Sequence, residues 1–168
     1  MMDINLDKRY TDFVLGRINA FKHVHPTALT LLGLGMDFVV LYAVWAASIW
    51  LLAVSLFVRY SCDCLDGAVA RKYGKVSDLG GALDTLADNT LIFVVTLCLG
   101  RLMGVPFYWL LAAGVTTANV WYLWKKGALV HHTSIKQGGT FLQNIYRLGV
   151  NNNAVIYLAA FVALVALL

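Results

Sequence analysis

Residues 27–58 read TALTLLGLGMDFVVLYAVWAASIWLLAVSLFV, an apolar run in which Asp37 is the one charged residue. A helix crosses a bilayer in about 20 residues, so the run is too long for one crossing. It reads as two spans broken near 46–48, although no Gly or Pro marks a turn there. Pro26 suits the first position of a helix, which places span one near 26–46 and span two near 48–73. Further spans are expected near 77–100, whose first half is polar, and near 105–124 and 151–168, which carry no charge.

Composition agrees with that reading. The 168-residue chain is 60% apolar and 13% charged, with a mean hydropathy of +0.72. A soluble domain is about 45–50% apolar and about 25% charged. The expected fold class is therefore an all-α integral membrane protein, one membrane-embedded domain over 1–168. Two prolines and 14 glycines exclude a disordered or collagen-like chain. The net charge of +4 raises the question of nucleic acid, but the basic residues alternate with apolar runs instead of forming a stripe, so no nucleic-acid partner is expected. Cys62, Cys64 and Cys98 are too few and too poorly spaced for a disulfide framework and read as small buried thiols.

In residues 1–22, Leu6, Tyr10, Phe13, Val14, Ile18 and Phe21 recur at helical spacing among Lys8, Arg9, Asp12, Arg17 and Lys22. This pattern suits a helix lying in the membrane interface, or an amphipathic helix packed on protein. Lys8, Arg9, Arg17, Lys22, Arg71, Lys72, Lys75, Lys125, Lys126, Lys136 and Arg147 all fall on one side of the membrane when five spans alternate. The positive-inside rule makes that side cytoplasmic, with the N-terminus inside. Trp45, Trp50, Tyr108, Trp109, Trp121 and Trp124 lie near span ends, as an aromatic belt does.

All nine acidic residues are Asp, and five lie in residues 63–88, DCLDGAVARKYGKVSDLGGALDTLAD. Asp63 and Asp66 are three apart, and Asp84 and Asp88 four apart, so each pair shares a helix face. The short connection at 72–77 folds the two helices back as neighbours, and the four carboxylates are expected to converge near the cytoplasmic surface. Such a group repels itself unless a cation joins it. An all-oxygen set suits Mg²⁺ or Mn²⁺, and four carboxylates suffice for two ions. Gly67 and Gly80 leave room beside them for a ligand, and Arg71 offers a fork for phosphate oxygens. Together these features describe a pyrophosphate substrate held for displacement at phosphorus.

The pattern Asp63-x2-Asp66-Gly67-x2-Ala70-Arg71-x8-Gly80-x3-Asp84-x3-Asp88 resembles the motif of the CDP-alcohol phosphatidyltransferases, with all eight fixed positions present over 26 residues. His25-Pro26-Thr27-Ala28-Leu29-Thr30 is similar to the Pro-Asn-x-x-Thr opening of the family's first span, with Thr27 in place of Asn. The resemblance implies an enzyme of phospholipid synthesis that displaces CMP from a CDP-linked donor by attack of an acceptor hydroxyl on the β-phosphorus. It implies that Asp63, Asp66, Asp84 and Asp88 ligate two metal ions, Mg²⁺ or Mn²⁺, with Asp88 also the general base. Gly67, Ala70, Arg71, Gly80 and Thr30 would line the CDP site. CDP-diacylglycerol and a polar alcohol are the expected partners, beside membrane lipids and a second copy in a homodimer. A soluble CDP-alcohol with diacylglycerol as acceptor stays open. The family has six spans where five are counted here, so either the chain stops short or the sixth helix is dispensable.

Two readings compete: a divalent-cation transporter or channel built on the Asp cluster, and an inactive relative that binds CDP-lipid without turnover. Outside the motif, Asp37 lies about 16 Å into span one and Arg59 about 18 Å into span two, depths that allow a structural ion pair. Asp78 is expected to cap span three or to favour its N-terminal dipole. His131, His132, Lys136 and Arg147 offer contacts for a phosphate-bearing acceptor or for lipid headgroups.

Overall fold

A computed structural model describes residues 6–125 and 153–168. These residues form α1 (Leu6–Arg17), a 3₁₀ turn (Asn19–Lys22), α2 (Pro26–Trp45), α3 (Ile49–Lys72), α4 (Asp78–Leu102), α5 (Tyr108–Lys125) and α6 (Asn153–Leu167). No strand occurs among them. Two of the helices, α2 and α4, are long and apolar enough by length and composition to cross a membrane. Residues 126–152, with the expected headgroup or acceptor contacts His131, His132, Lys136 and Arg147, lie outside the described residues.

Helix α2 begins where Pro26 supplies a preset φ and the His25 ring nitrogen accepts from Thr27 N–H. It ends at Trp45 in a Schellman cap: Ser48 N–H reaches Ala43 C=O at 2.9 Å and Ala47 N–H reaches Val44 C=O at 3.2 Å. Such a cap needs one left-handed residue, and here that residue is Ala47, at φ +50°. The turn thus falls where the apolar run demanded one, but without the glycine that would have announced it. Helices α3 and α4 end in the same cap with the usual residue, Gly74 at φ +64° and Gly104 at φ +65°. Ser48 caps α3 by accepting from Leu51 N–H. Helix α4 is capped by Ser77, which accepts from Gly80 N–H at 3.1 Å. Asp78 is therefore not the cap. It occupies the first turn, where its charge favours the helix N-terminus.

Helix α2 packs against both α3 and α4, α5 lies against α4, and α6 against α3 and α4. The short 72–77 connection does not make α3 and α4 the packed neighbours expected from sequence, because each lays its face on α2 instead. Val40, Ala43, Val44, Leu52, Leu56, Leu91, Val94, Cys98, Tyr157 and Leu164 form the main core. Gly33 sets the approach of α2 to α3, since a methyl there would lie 3.3 Å from both the Arg59 and Cys62 side chains. The outward faces remain apolar, with Phe38, Tyr42, Trp50, Phe57, Trp109, Trp121 and Leu158 all exposed. In water that surface would be a liability, but in lipid it is what a spanning bundle needs. Inside, Asn119 donates to Asn89 at 2.9 Å, a polar tie between α5 and α4. The three cysteines are buried and free, as expected.

Helix α1 packs on protein. Leu15 joins Leu65 and Val69 of α3 in a second small core. Tyr10 O–H donates to Ser61 at 2.8 Å, and Tyr60 O–H donates to Asp7 at 3.0 Å. Leu6, Phe13 and Ile18 stay exposed, so the apolar pattern is shared between a face on α3 and a face left open.

Candidate functional site

The end of α3 and the beginning of α4, joined by residues 73–77, carry the aspartates. Each of Asp63, Asp84 and Asp88 offers a carboxylate oxygen, and the three atoms lie within 4.8 Å of one another. Three negative charges so close, in a partly buried setting, repel strongly. As a donor set they fit a hard divalent cation, which takes carboxylate oxygen by preference.

The fourth expected ligand is placed differently. Asp66 is buried, and its Oδ2 accepts from the Thr30 hydroxyl of α2 at 2.6 Å, while its Oδ1 accepts from Gly67 N–H. The reason is register. Asp66 lies three residues beyond Asp63, about 60° short of a full turn, and that rotation carries it toward α2. Thr30, expected to line the CDP site, is buried and donates its hydroxyl to Asp66.

Arg71 is exposed, and its guanidinium lies over Gly67, where an added methyl would come within 3.1 Å of Nη1. Gly67 thus makes room for the arginine itself. Gly80 is the residue whose N–H the Ser77 cap engages, and Ala70 is half-buried one position before Arg71.

Sequence reasoning paired Asp37 with Arg59, and the structure bears this out at 3.2 Å. It missed that Arg59 also reaches Asp63, at 3.1 Å, and Asp88, at 3.4 Å. The first of these was legible as an i, i+4 spacing. The second depends on the register of α4 against α3, which no spacing records. Also unanticipated was Tyr157 of α6, buried, with its ring 5.6 Å from Tyr60 and no hydrogen-bond partner for its hydroxyl among the described residues.

Fold and site together define an all-α membrane protein with a carboxylate cluster fit for a divalent cation where two of its helices meet. The chain belongs to the CDP-alcohol phosphatidyltransferase family, whose model matches residues 23–168. A curated relative, archaetidylinositol phosphate synthase of Pyrococcus horikoshii, is 33% identical over 87 residues, which is 49% of this chain and 46% of that protein. The match therefore spans about half the length of the relative. No solved structure matches the chain.

Proposed function

We propose that this chain transfers a phosphatidyl or other substituted phosphoryl group from a CDP-linked donor, CDP-diacylglycerol first, to the hydroxyl of a polar alcohol, releasing CMP. The observation that carries the reading is the convergence of Asp63, Asp84 and Asp88, with the Arg71–Gly67 corner about one to two turns further along α3. Asp63, Asp84 and Asp88 would hold a cation, Mg²⁺ or Mn²⁺, and Asp66, oriented by Thr30, would complete a set for two. A bound cation there supplies charge neutralisation for the pyrophosphate and its leaving phosphate. Arg71 offers paired donors to phosphate oxygens, with Gly67, Ala70 and Gly80 around the nucleotide. Asp88 keeps 43% of its side chain exposed, so it is open to an incoming hydroxyl. It takes the hydroxyl proton as the new P–O bond forms at the β-phosphorus and the bond to CMP breaks.

The basic residues Arg71, Lys72 and Lys75 beside this corner support a site that faces the cytoplasm, with the N-terminus inside. One membrane-embedded domain, paired as a homodimer, completes the reading.

The test is CMP release from CDP-diacylglycerol by purified protein in detergent, with Mn²⁺ or Mg²⁺ and a panel of acceptors. An inositol phosphate stands first in the panel, because the Pyrococcus relative is named a synthase of archaetidylinositol phosphate. Release with one acceptor, lost in Asp88→Asn and in EDTA, is expected. Absence of release with every acceptor would move the reading to a soluble CDP-alcohol donor with diacylglycerol as acceptor. Failure of both arrangements would overturn it.

A further inference from the structure

Arg59 is only 1% exposed, and its three nitrogens serve three different carboxylates. Nε donates to Asp37 Oδ1, Nη1 to Asp63 Oδ1 and Nη2 to Asp88 Oδ1. Two of those carboxylates belong to the group that fits a cation. Asp37 is 0% exposed, and its second oxygen, Oδ2, is buried with no hydrogen-bond partner among the described residues. A buried carboxylate oxygen left bare is costly. A guanidinium beside a carboxylate ordinarily forms a two-bond fork, which would satisfy that oxygen. Here the fork is incomplete because both outer nitrogens of Arg59 are engaged by Asp63 and Asp88.

We propose that Arg59 is an internal counter-ion exchanged against the bound cation, and that Asp37 is the positioning residue that receives it. Without a cation, Arg59 balances Asp63 and Asp88 and holds them in place. When a divalent cation takes those carboxylates, Arg59 releases them, and one outer nitrogen turns onto Asp37 Oδ2 to complete the fork. Asp37, Asp63 and Asp88 then each face a positive charge in both states. The inference rests on the cation reading of Asp63, Asp84 and Asp88 given above.

The exchange predicts opposite effects from two changes to one ion pair. Asp37→Asn removes the receiving carboxylate, so Arg59 stays on Asp63 and Asp88 and competes with the cation. Asp37→Leu combined with Arg59→Met removes both partners of the buried pair at once and leaves the net charge unchanged. It frees Asp63 and Asp88 from their competitor.

The experiment is Mn²⁺ titration of the purified full chain in detergent, with free Mn²⁺ read by electron paramagnetic resonance. Thermal midpoints in EDTA and in saturating Mn²⁺ accompany it. Asp37→Asn is expected to bind Mn²⁺ about tenfold more weakly and the double variant about tenfold more tightly. In EDTA the double variant should melt below the parent, because its clustered carboxylates lack a counter-ion, and Mn²⁺ should restore it. If the apolar pair does not fold, Asp37→Asn with Arg59→Gln carries the same expected sign. Equal affinities, or shifts of the same sign in the two variants, would overturn the exchange while leaving the cation site intact. No Mn²⁺ binding by the parent protein would overturn the cation site, and the exchange with it.

Discussion

Thr30 and Asp66 show how one hydroxyl decides where a carboxylate points. The bond between them is 2.6 Å long, buried, and charge-assisted. Thr30→Val keeps the shape and removes the donor, so it should lower stability by about 1–2 kcal/mol, whereas Thr30→Ser should retain most of it. Thermal midpoints in detergent check both. At Gly67 the constraint is space: a methyl group would stand 3.1 Å from the Arg71 guanidinium. The arginine is flexible and yields, so Gly67→Ala should leave the melting temperature nearly unchanged. It should raise the KM for the CDP donor several-fold, because the phosphate fork is pushed out of place, and donor titrations read this directly. The motif spacing announced Asp63, Asp66, Asp84 and Asp88 as one group because i, i+3 and i, i+4 spacings fix a helix face, and three of the four, Asp63, Asp84 and Asp88, come together. It was silent on Asp66 turning to a threonine 36 residues earlier, since that depends on how α3 is rotated against α2.

At the scale of elements, the same cap closes three helices, twice with glycine and once with Ala47. A left-handed residue with a β-carbon costs about 1 kcal/mol that glycine does not. Ala47→Gly should therefore stabilise the protein, by about 0.5–1 kcal/mol, a change visible as a raised thermal midpoint; a fall would mean that Ala47 contributes contacts outweighing its strain. This cap also explains the one turn for which the sequence held no signal. Hydrophobic length required a break in 27–58, but the usual residue at the breaking point is missing. Helix α1 was legible as amphipathic, yet its apolar residues could not reveal that Tyr10 and Leu15 would meet α3 while Phe13 stayed open.

For the whole molecule, the outward apolar side chains and the inward Asn89–Asn119 tie are what a bundle in lipid requires. Charge asymmetry supplied the expected orientation, and a single new thiol can test it. Cys62, Cys64 and Cys98 are buried, and Val76, on the α3–α4 connection, is 72% exposed. Val76→Cys should react with a membrane-impermeant maleimide in inside-out vesicles and stay unlabelled in intact cells. Labelling in intact cells would invert the orientation. Helix positions were readable because hydropathy and periodicity are properties of the chain, whereas the convergence of α2, α3 and α4 on Arg59 is a property of packing.

The lysines that follow the motif also hold the N-terminal segment. Lys72 donates to the carbonyl of Leu15, and Lys75 donates to those of Lys22 and Val24, across separations of 57, 53 and 51 residues. A chain is made from its N-terminus onward, so α1 leaves the ribosome well before the side chains that fasten it exist. Its docking must wait until α3 has been synthesised and inserted, which makes the seating of α1 a late checkpoint in assembly and couples the order of synthesis to the completion of the site.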